Sequence, residues 1–489
     1  MSKVPVKIKN AGKTYEVDVD LSEPGLTFKL QISSLTGIQP ERQKVLLKGG
    51  QLKDDSDMKD FNLKPNQVIM VLGTPDDKLP KKPIEKTVFV EDLEEENKLI
   101  NFSDEPSGLV NLGNTCYLNS SLQSLFTVKE ITQRLSNISK NNGTLINSNH
   151  QNFITFLGQL FDKMAKKETK ITPLNFLTTL RTTFPQFSEM SDHGFYKQQD
   201  AEEAFSQILS TLLQNIKDLD NFFKIEFKTR TKCLETDEEP VIGFEDSLKL
   251  DCHISINTNF LKDGLMKNLK EKIEKRNELL DKNATYEVSR KIVKLPKYLT
   301  VHFVRFFWKR ETNKKSKILR KVQFPMQLDL ADMLDDDIKQ QKCEFRDKIY
   351  NVEKENEEEA KELKKKKKNN FHIETMAQFD KEQSESKKLQ EKWASNFKKA
   401  FPPDFDPNCG ENPSSLYELR SIITHQGSSA DSGHYQCFVK DETDLSGDKW
   451  WKFNDDKVSV VNREKIDQLA GGGEGDSALI LMYKAVGLE

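Results

Sequence analysis

Residues 108–125 read GLVNLGNTCYLNSSLQSL. Gly108 and Gly113 permit a tight, irregular loop. Leu118, Leu122 and Leu125 then fall at helical spacing just after Thr115. Cys116 therefore sits at or near a helix N-terminus, where the macrodipole and free N–H groups are expected to stabilise a thiolate and lower the thiol pKa. A buried structural cysteine needs no such polar surround, but the loop by itself leaves that simpler reading open.

A nucleophilic cysteine needs a base, and the base needs a group that orients it. Among seven histidines, His434 is the best candidate: it follows the polar loop SSADSG and opens the strand-like HYQCFVK. HYQCFVK and DKWWKFN read as a hairpin centred near Asp444, which would put His434 across from Asn454. Cross-strand neighbours are within side-chain reach, and an Asn or Asp there can fix the imidazole tautomer. A one-residue error in register would exchange Asn454 for Asp455. The alternatives are a surface histidine at a strand start and two ordinary turn residues. Acyl transfer also needs donors for an oxyanion. The amide of Asn111 can fold back to join the Cys116 N–H, with Asn114 and Asn119 competing for that role. Asp200-Ala201-Glu202-Glu203 matches a helix-capping pattern, so capping is the default for Asp200 and contact with a substrate backbone the sharper alternative.

Outward from these motifs the chain divides by pattern. Residues 4–73 alternate as a hairpin (Val4, Val6, Ile8; Tyr15, Val17, Val19). A helix through Phe28, Ile32 and Leu35 follows, then strands at Val45–Leu47 and Val68–Leu72, the order of a β-grasp. Residues 74–105, with Pro75, Pro80 and Pro83, read as a linker. From 106 to 486, helical patterns come first and strand patterns later, which argues for an α+β domain. A charged insertion at 331–400, with a lysine run at 364–368, reads as a solvated or disordered segment, the run alternatively as a nuclear signal or a contact for an acidic partner.

The 489 residues carry 31% charged and 36% apolar side chains and a net charge of −3, so no global field points to nucleic acid or an anionic membrane. No signal-peptide core opens the chain and no stretch approaches the ~20 apolar residues of a membrane helix. Six scattered cysteines without a CxxC pair predict free thiols in a reducing compartment and no zinc site. A cytoplasmic location is expected, with nuclear entry left open by the lysine run.

Three spaced motifs carry a family resemblance. Gly108–Asn119 resembles the cysteine box of the ubiquitin-specific proteases, Gly433-His434-Tyr435 with Trp451–Asp455 their histidine box, and Gln198–Ala201 their intermediate motif. The resemblance implies a papain-like hand of fingers, palm and thumb. It implies Cys116 as nucleophile, His434 as base, Asn454 as orienting group with Asp455 adding charge, and Asn111 as oxyanion donor. Gln199, Asp200, Ser432, Gly433 and Tyr435 would grip the ubiquitin tail. Gln39–Val45, Lys48–Gly50 and Lys86–Asp92 resemble the ubiquitin-like domain and linker of the proteasome-associated ubiquitin-specific proteases. That implies docking to the 19S regulatory particle through residues 4–73, and activation when surface loops leave the tail channel. The loop 427–433 matches one such loop, and the segment after Phe324-Pro325 is a candidate for another. Ubiquitin and polyubiquitinated proteins are the implied partners of a free monomer needing no cofactor. A mainly non-catalytic, ubiquitin-sensing regulator of the proteasome is the alternative.

Overall fold

The computed structural model describes residues 3–73 and 105–488, apart from 37, 39, 49, 142–148, 192–193, 310–313, 369–375, 403, 430–431, 446 and 474. The linker reading of 74–105 therefore lies almost wholly outside the described residues, as does Lys86–Asp92. The chain divides into two compact units, Met1–Asn101 and Phe102–Glu489.

In the first unit, strands Lys3–Asn10 and Lys13–Asp20 pair antiparallel about Ala11-Gly12, both at positive φ. The helix Gly25–Thr36 packs Phe28 and Ile32 on the sheet. The last strand, Gln67–Leu72, runs parallel to the first and antiparallel to Lys44–Leu47. This is the β-grasp. Val6, Ile8, Val19, Val45, Ile69 and Val71 face its core because alternate strand residues share a face.

The second unit opens with helices. Cys116–Phe126 buries ten of its eleven residues, so it is central to the core and not amphipathic. Around it pack Lys129–Asn141, Asn149–Ala165, Leu174–Thr183 and Ala201–Asn215. These helices form the thumb. The palm is a ten-stranded sheet whose central run is 457–462, 449–454, 432–440, 416–429, 477–485, 298–304 and 250–253. From residue 480 onward strand Ser477–Ala485 alternates, feeding Ile480 and Met482 into the helical core and Leu481, Tyr483 and Ala485 into a second core. A separate four-stranded sheet, in the order 241–247, 225–233, 282–294 and 270–277, makes the fingers.

Residues 331–400 depart from the solvated or disordered expectation. They form two long helices, Asp336–Lys368 and Met376–Ala400. The first buries Ile349, and Glu359 on it accepts from Trp393 Nε1 at 3.0 Å on the second. Their charge-rich surface concealed a narrow apolar stripe that tertiary packing is enough to fix.

Candidate active site

The loop before Cys116 is built to lie against another backbone. Gly113 (φ 93°) and Asn114 (φ 54°) make a left-handed turn, and Leu112 N donates to Thr115 Oγ1 at 2.9 Å. A Cβ on Gly108 would stand 2.6 Å from the carbonyl oxygen of Asp456, so only glycine allows this approach. Leu109 N donates to the carbonyl of Asp455 at 2.9 Å, completing the junction. The two-residue turn Asp455-Asp456 joins strands Lys449–Asn454 and Lys457–Asn462, with Asp455 in the left-handed region at φ 55°.

Cys116 is the first residue of its helix and only 2% exposed. Burial pushes its thiol up to about 11, aided by the charge of Asp455, while the backbone N–H groups of Tyr435, Tyr117 and Cys116 itself pull the other way. The helix end thus acts in the expected direction, but desolvation outweighs it and the net shift is opposite to the sequence expectation. Among the described residues no hydrogen bond joins Cys116 to His434; the sulfur faces the Tyr435 N–H, one residue along the same strand.

His434 Nε2 lies 2.6 Å from Asn454 Oδ1. An amide oxygen only accepts, so Nε2 carries the proton and Nδ1 of the neutral ring keeps a lone pair. The register behind this contact differs from the expected one. Cys437 pairs Phe453 and Lys440 pairs Trp450, which centres the hairpin on Leu445 and brings Asn454 level with Gln436. The shift is two residues, so Asn454 stays on the His434 face and reaches it diagonally. Asp455 Oδ2 stands 3.9 Å from the same nitrogen.

Asn111 is held within this junction. Its Nδ2 donates to Asp455 Oδ2 at 2.9 Å, and its Oδ1 accepts from Gly113 N at 2.9 Å and from the Thr115 hydroxyl at 3.2 Å. Its oxygen also accepts from Thr115 N at 3.3 Å, next to Cys116, which ties the side chain to the start of the Cys116 helix. Asn114 donates to the Tyr196 carbonyl at 3.0 Å, and Asn119 to Asp455 Oδ1 at 2.8 Å and Leu109 O at 3.2 Å. Asn119 as a tie for Asp455 was not foreseen; its spacing of three from Cys116 was the only signal.

Asp200 caps the helix Ala201–Asn215, accepting from Glu202 N at 2.9 Å, which is worth about 1 kcal/mol. Beside it, Gln199 Nε2 is buried without a hydrogen-bond partner among the described residues. Tyr435 is 1% exposed, its ring 4.7 Å from that of His425, whereas Ser432 and Gly433 are exposed. Gly433 has φ 130°, and a Cβ there would meet Gln426 O at 2.2 Å. The element beside the 427–433 bend is the hairpin Phe306–Lys309/Lys314–Lys317, through Ser316 opposite Ser429. The segment after Phe324-Pro325 pairs instead with the far end of that strand, at Leu416–Glu418. Among the described residues no group of three or more His, Cys, Asp or Glu side chains is arranged to hold a metal.

Residues 107–483 match the family model described as ubiquitin carboxyl-terminal hydrolase. The chain belongs to that family. As a member of it, the chain is a cysteine-type deubiquitinase. Residues 6–76 of the hydrolase match the ubiquitin family model. It is similar to ubiquitin carboxyl-terminal hydrolase 6 of Schizosaccharomyces pombe, at 37% identity over 99% of both chains. Ubiquitin carboxyl-terminal hydrolase 7 of Arabidopsis thaliana is 36% identical over 98% of each. Ubiquitin carboxyl-terminal hydrolase 14 of Caenorhabditis elegans is 35% identical over 98% of this chain and 93% of its own.

Proposed function

We propose that the hydrolase cleaves the isopeptide bond after the last glycine of ubiquitin through Cys116, His434 and Asn454, in association with the proteasome. The observation carrying the chemistry is the 2.6 Å contact of His434 Nε2 with Asn454 Oδ1 on the strand whose next N–H faces the Cys116 sulfur. His434 is partly exposed, at 31% of its side chain, so its ring can turn Nδ1 toward the thiol. Nδ1 takes the thiol proton and the thiolate attacks the glycine carbonyl. The Cys116 N–H and the Asn111 amide stabilise the oxyanion. Imidazolium returns its proton to the departing lysine amine. Water, losing a proton to Nδ1, then hydrolyses the thioester and frees Cys116. Gln199, Asp200, Ser432, Gly433 and Tyr435 bind the ubiquitin tail.

Proteasome docking rests on the first unit. Leu46, Val68, Met70 and Leu72 are 45–59% exposed on one sheet face, with Leu46 opposite Met70 and with Lys7 and Lys9 alongside Val68 and Met70. An apolar stripe with a basic flank fits an apolar groove rimmed by acids, which we assign to the 19S particle. The six free thiols suit the cytoplasm. A ubiquitin-based covalent probe, applied with and without the 19S particle, tests the whole reading. Labelling of Cys116 that rises with the particle supports it; no labelling in either state ends it. Cys116→Ala should abolish release of a fluorophore from the ubiquitin C-terminus while ubiquitin binding persists.

A further inference from the structure

Lys484 lies in strand Ser477–Ala485, between Tyr298 and Glu418 on the two neighbouring strands, and is 4% exposed. Its charge is felt alongside those of Arg420, Lys129, Lys297 and Glu442, and it acts in turn on Glu418. The nearby carboxylates are already engaged. Glu130 accepts from Lys297 at 2.6 Å. Glu418 is shared by Lys440 and by Arg420, the latter at 3.6 Å. Glu442 is shared by Arg420 at 3.3 Å and Lys129 at 3.7 Å. Among the described residues, Lys484 is within electrostatic reach of Glu442 and Glu418 but both are held by other cations, and the buried Nε of Arg420 has no partner. Cations outnumber carboxylates here, and a buried ammonium whose neighbouring carboxylates are shared with other cations is costly.

We propose that Lys484, Arg420 and Lys129 form a binding site for a small free oxyanion of the phosphate or sulfate class. The missing negative charge is what the cluster requires, and the fork of Arg420 suits a multidentate oxyanion. Entry is from the side of Lys129 and Glu442, whose side chains are 50% and 45% exposed. Both contacts of Glu442 are longer than a charge-assisted hydrogen bond, so an anion can displace its carboxylate. The depth of Lys484 excludes a phosphate attached to a large group. Burial and the surrounding cations depress the Lys484 ammonium to about 7, so an anion favouring the charged form binds more tightly below that pH.

Thermal melting of the full chain tests this, with inorganic phosphate or sulfate compared with chloride at equal ionic strength. The oxyanions should raise the melting temperature beyond chloride, more at pH 6 than at pH 8. Lys484→Met, of similar length, should lose that increment yet hydrolyse a ubiquitin C-terminal fluorophore conjugate at the normal rate, which verifies its fold. Lys129→Gln on the exposed rim should weaken the increment. An unchanged increment in Lys484→Met, or chloride matching the oxyanions, overturns the site. Equal stabilisation by phenyl phosphate overturns its assignment to a free ion.

Discussion

Asp455 joins three partners at once: the amides of Asn111 and Asn119, and, at 3.9 Å, the imidazole of His434. Asn454 has the simpler task of accepting from Nε2. Steady-state kinetics on a ubiquitin fluorophore conjugate should therefore show both Asn454→Ala and Asp455→Ala impaired, by about 10²-fold or more in kcat/KM. Asp455→Ala should be the worse, because it also releases the loop before Cys116; the reverse ranking would mean the orienting amide dominates. The thiol makes a second prediction. With its pKa near 11, the alkylation rate of Cys116 in the free chain should climb about tenfold per pH unit between 8 and 10 without a plateau. A plateau by pH 8 would mean that an imidazolium already stabilises the thiolate. The residue types at these positions were legible in the sequence, because the chemistry demands them at fixed spacings. The sign of the thiol shift was not. The helix end is local, but the burial is set by a core that also draws in Ile423, Cys437 and Phe453, from strands more than three hundred positions away.

The Cys116 loop and the Asp455-Asp456 turn meet through a glycine that admits no side chain. Gly108→Ala should cost about 1–3 kcal/mol by denaturant titration and lower turnover at unchanged substrate affinity, since the junction shifts before the fold fails. The hairpin carrying His434 was legible as a hairpin, but its exact register depends on a connection, Asp441–Asp448, that has no strong turn signature. Parity survived the two-residue shift, and with it the contact that matters. The insertion helices were not legible, since runs such as Glu357–Glu359 and Lys364–Lys368 hide the 3.6-residue period. Glu353 tests their packing. Burial and the charge of Glu418 push its carboxyl up from 4.5 to about 7, while Gln327 donates to it at 2.7 Å. A raised carboxyl favours the folded state at low pH, and that advantage is lost as pH rises from about 4.5 to 7. Glu353→Gln should flatten the decline and add up to about 3 kcal/mol at pH 8, read by urea unfolding against pH. An unaltered pH profile would show that this carboxyl is solvated.

At the scale of the whole chain, the division into two units was legible because a hairpin–helix–strand–strand order needs few residues to declare itself. The palm was implied by the family resemblance but its strand order was not legible, because its central strand 477–485 comes last in sequence and pairs with strands formed far earlier. Removing residues 1–73 should leave hydrolysis of a small ubiquitin conjugate intact, since the second unit has its own cores. Met70→Glu should abolish co-sedimentation with 19S particles and leave that same rate unchanged. A sulfur kept protonated and sheltered from solvent is a poor target for peroxide, which attacks thiolates. The idle enzyme carries its own protection against oxidative damage. It becomes vulnerable only while handling a substrate, when the sulfur must ionise to work.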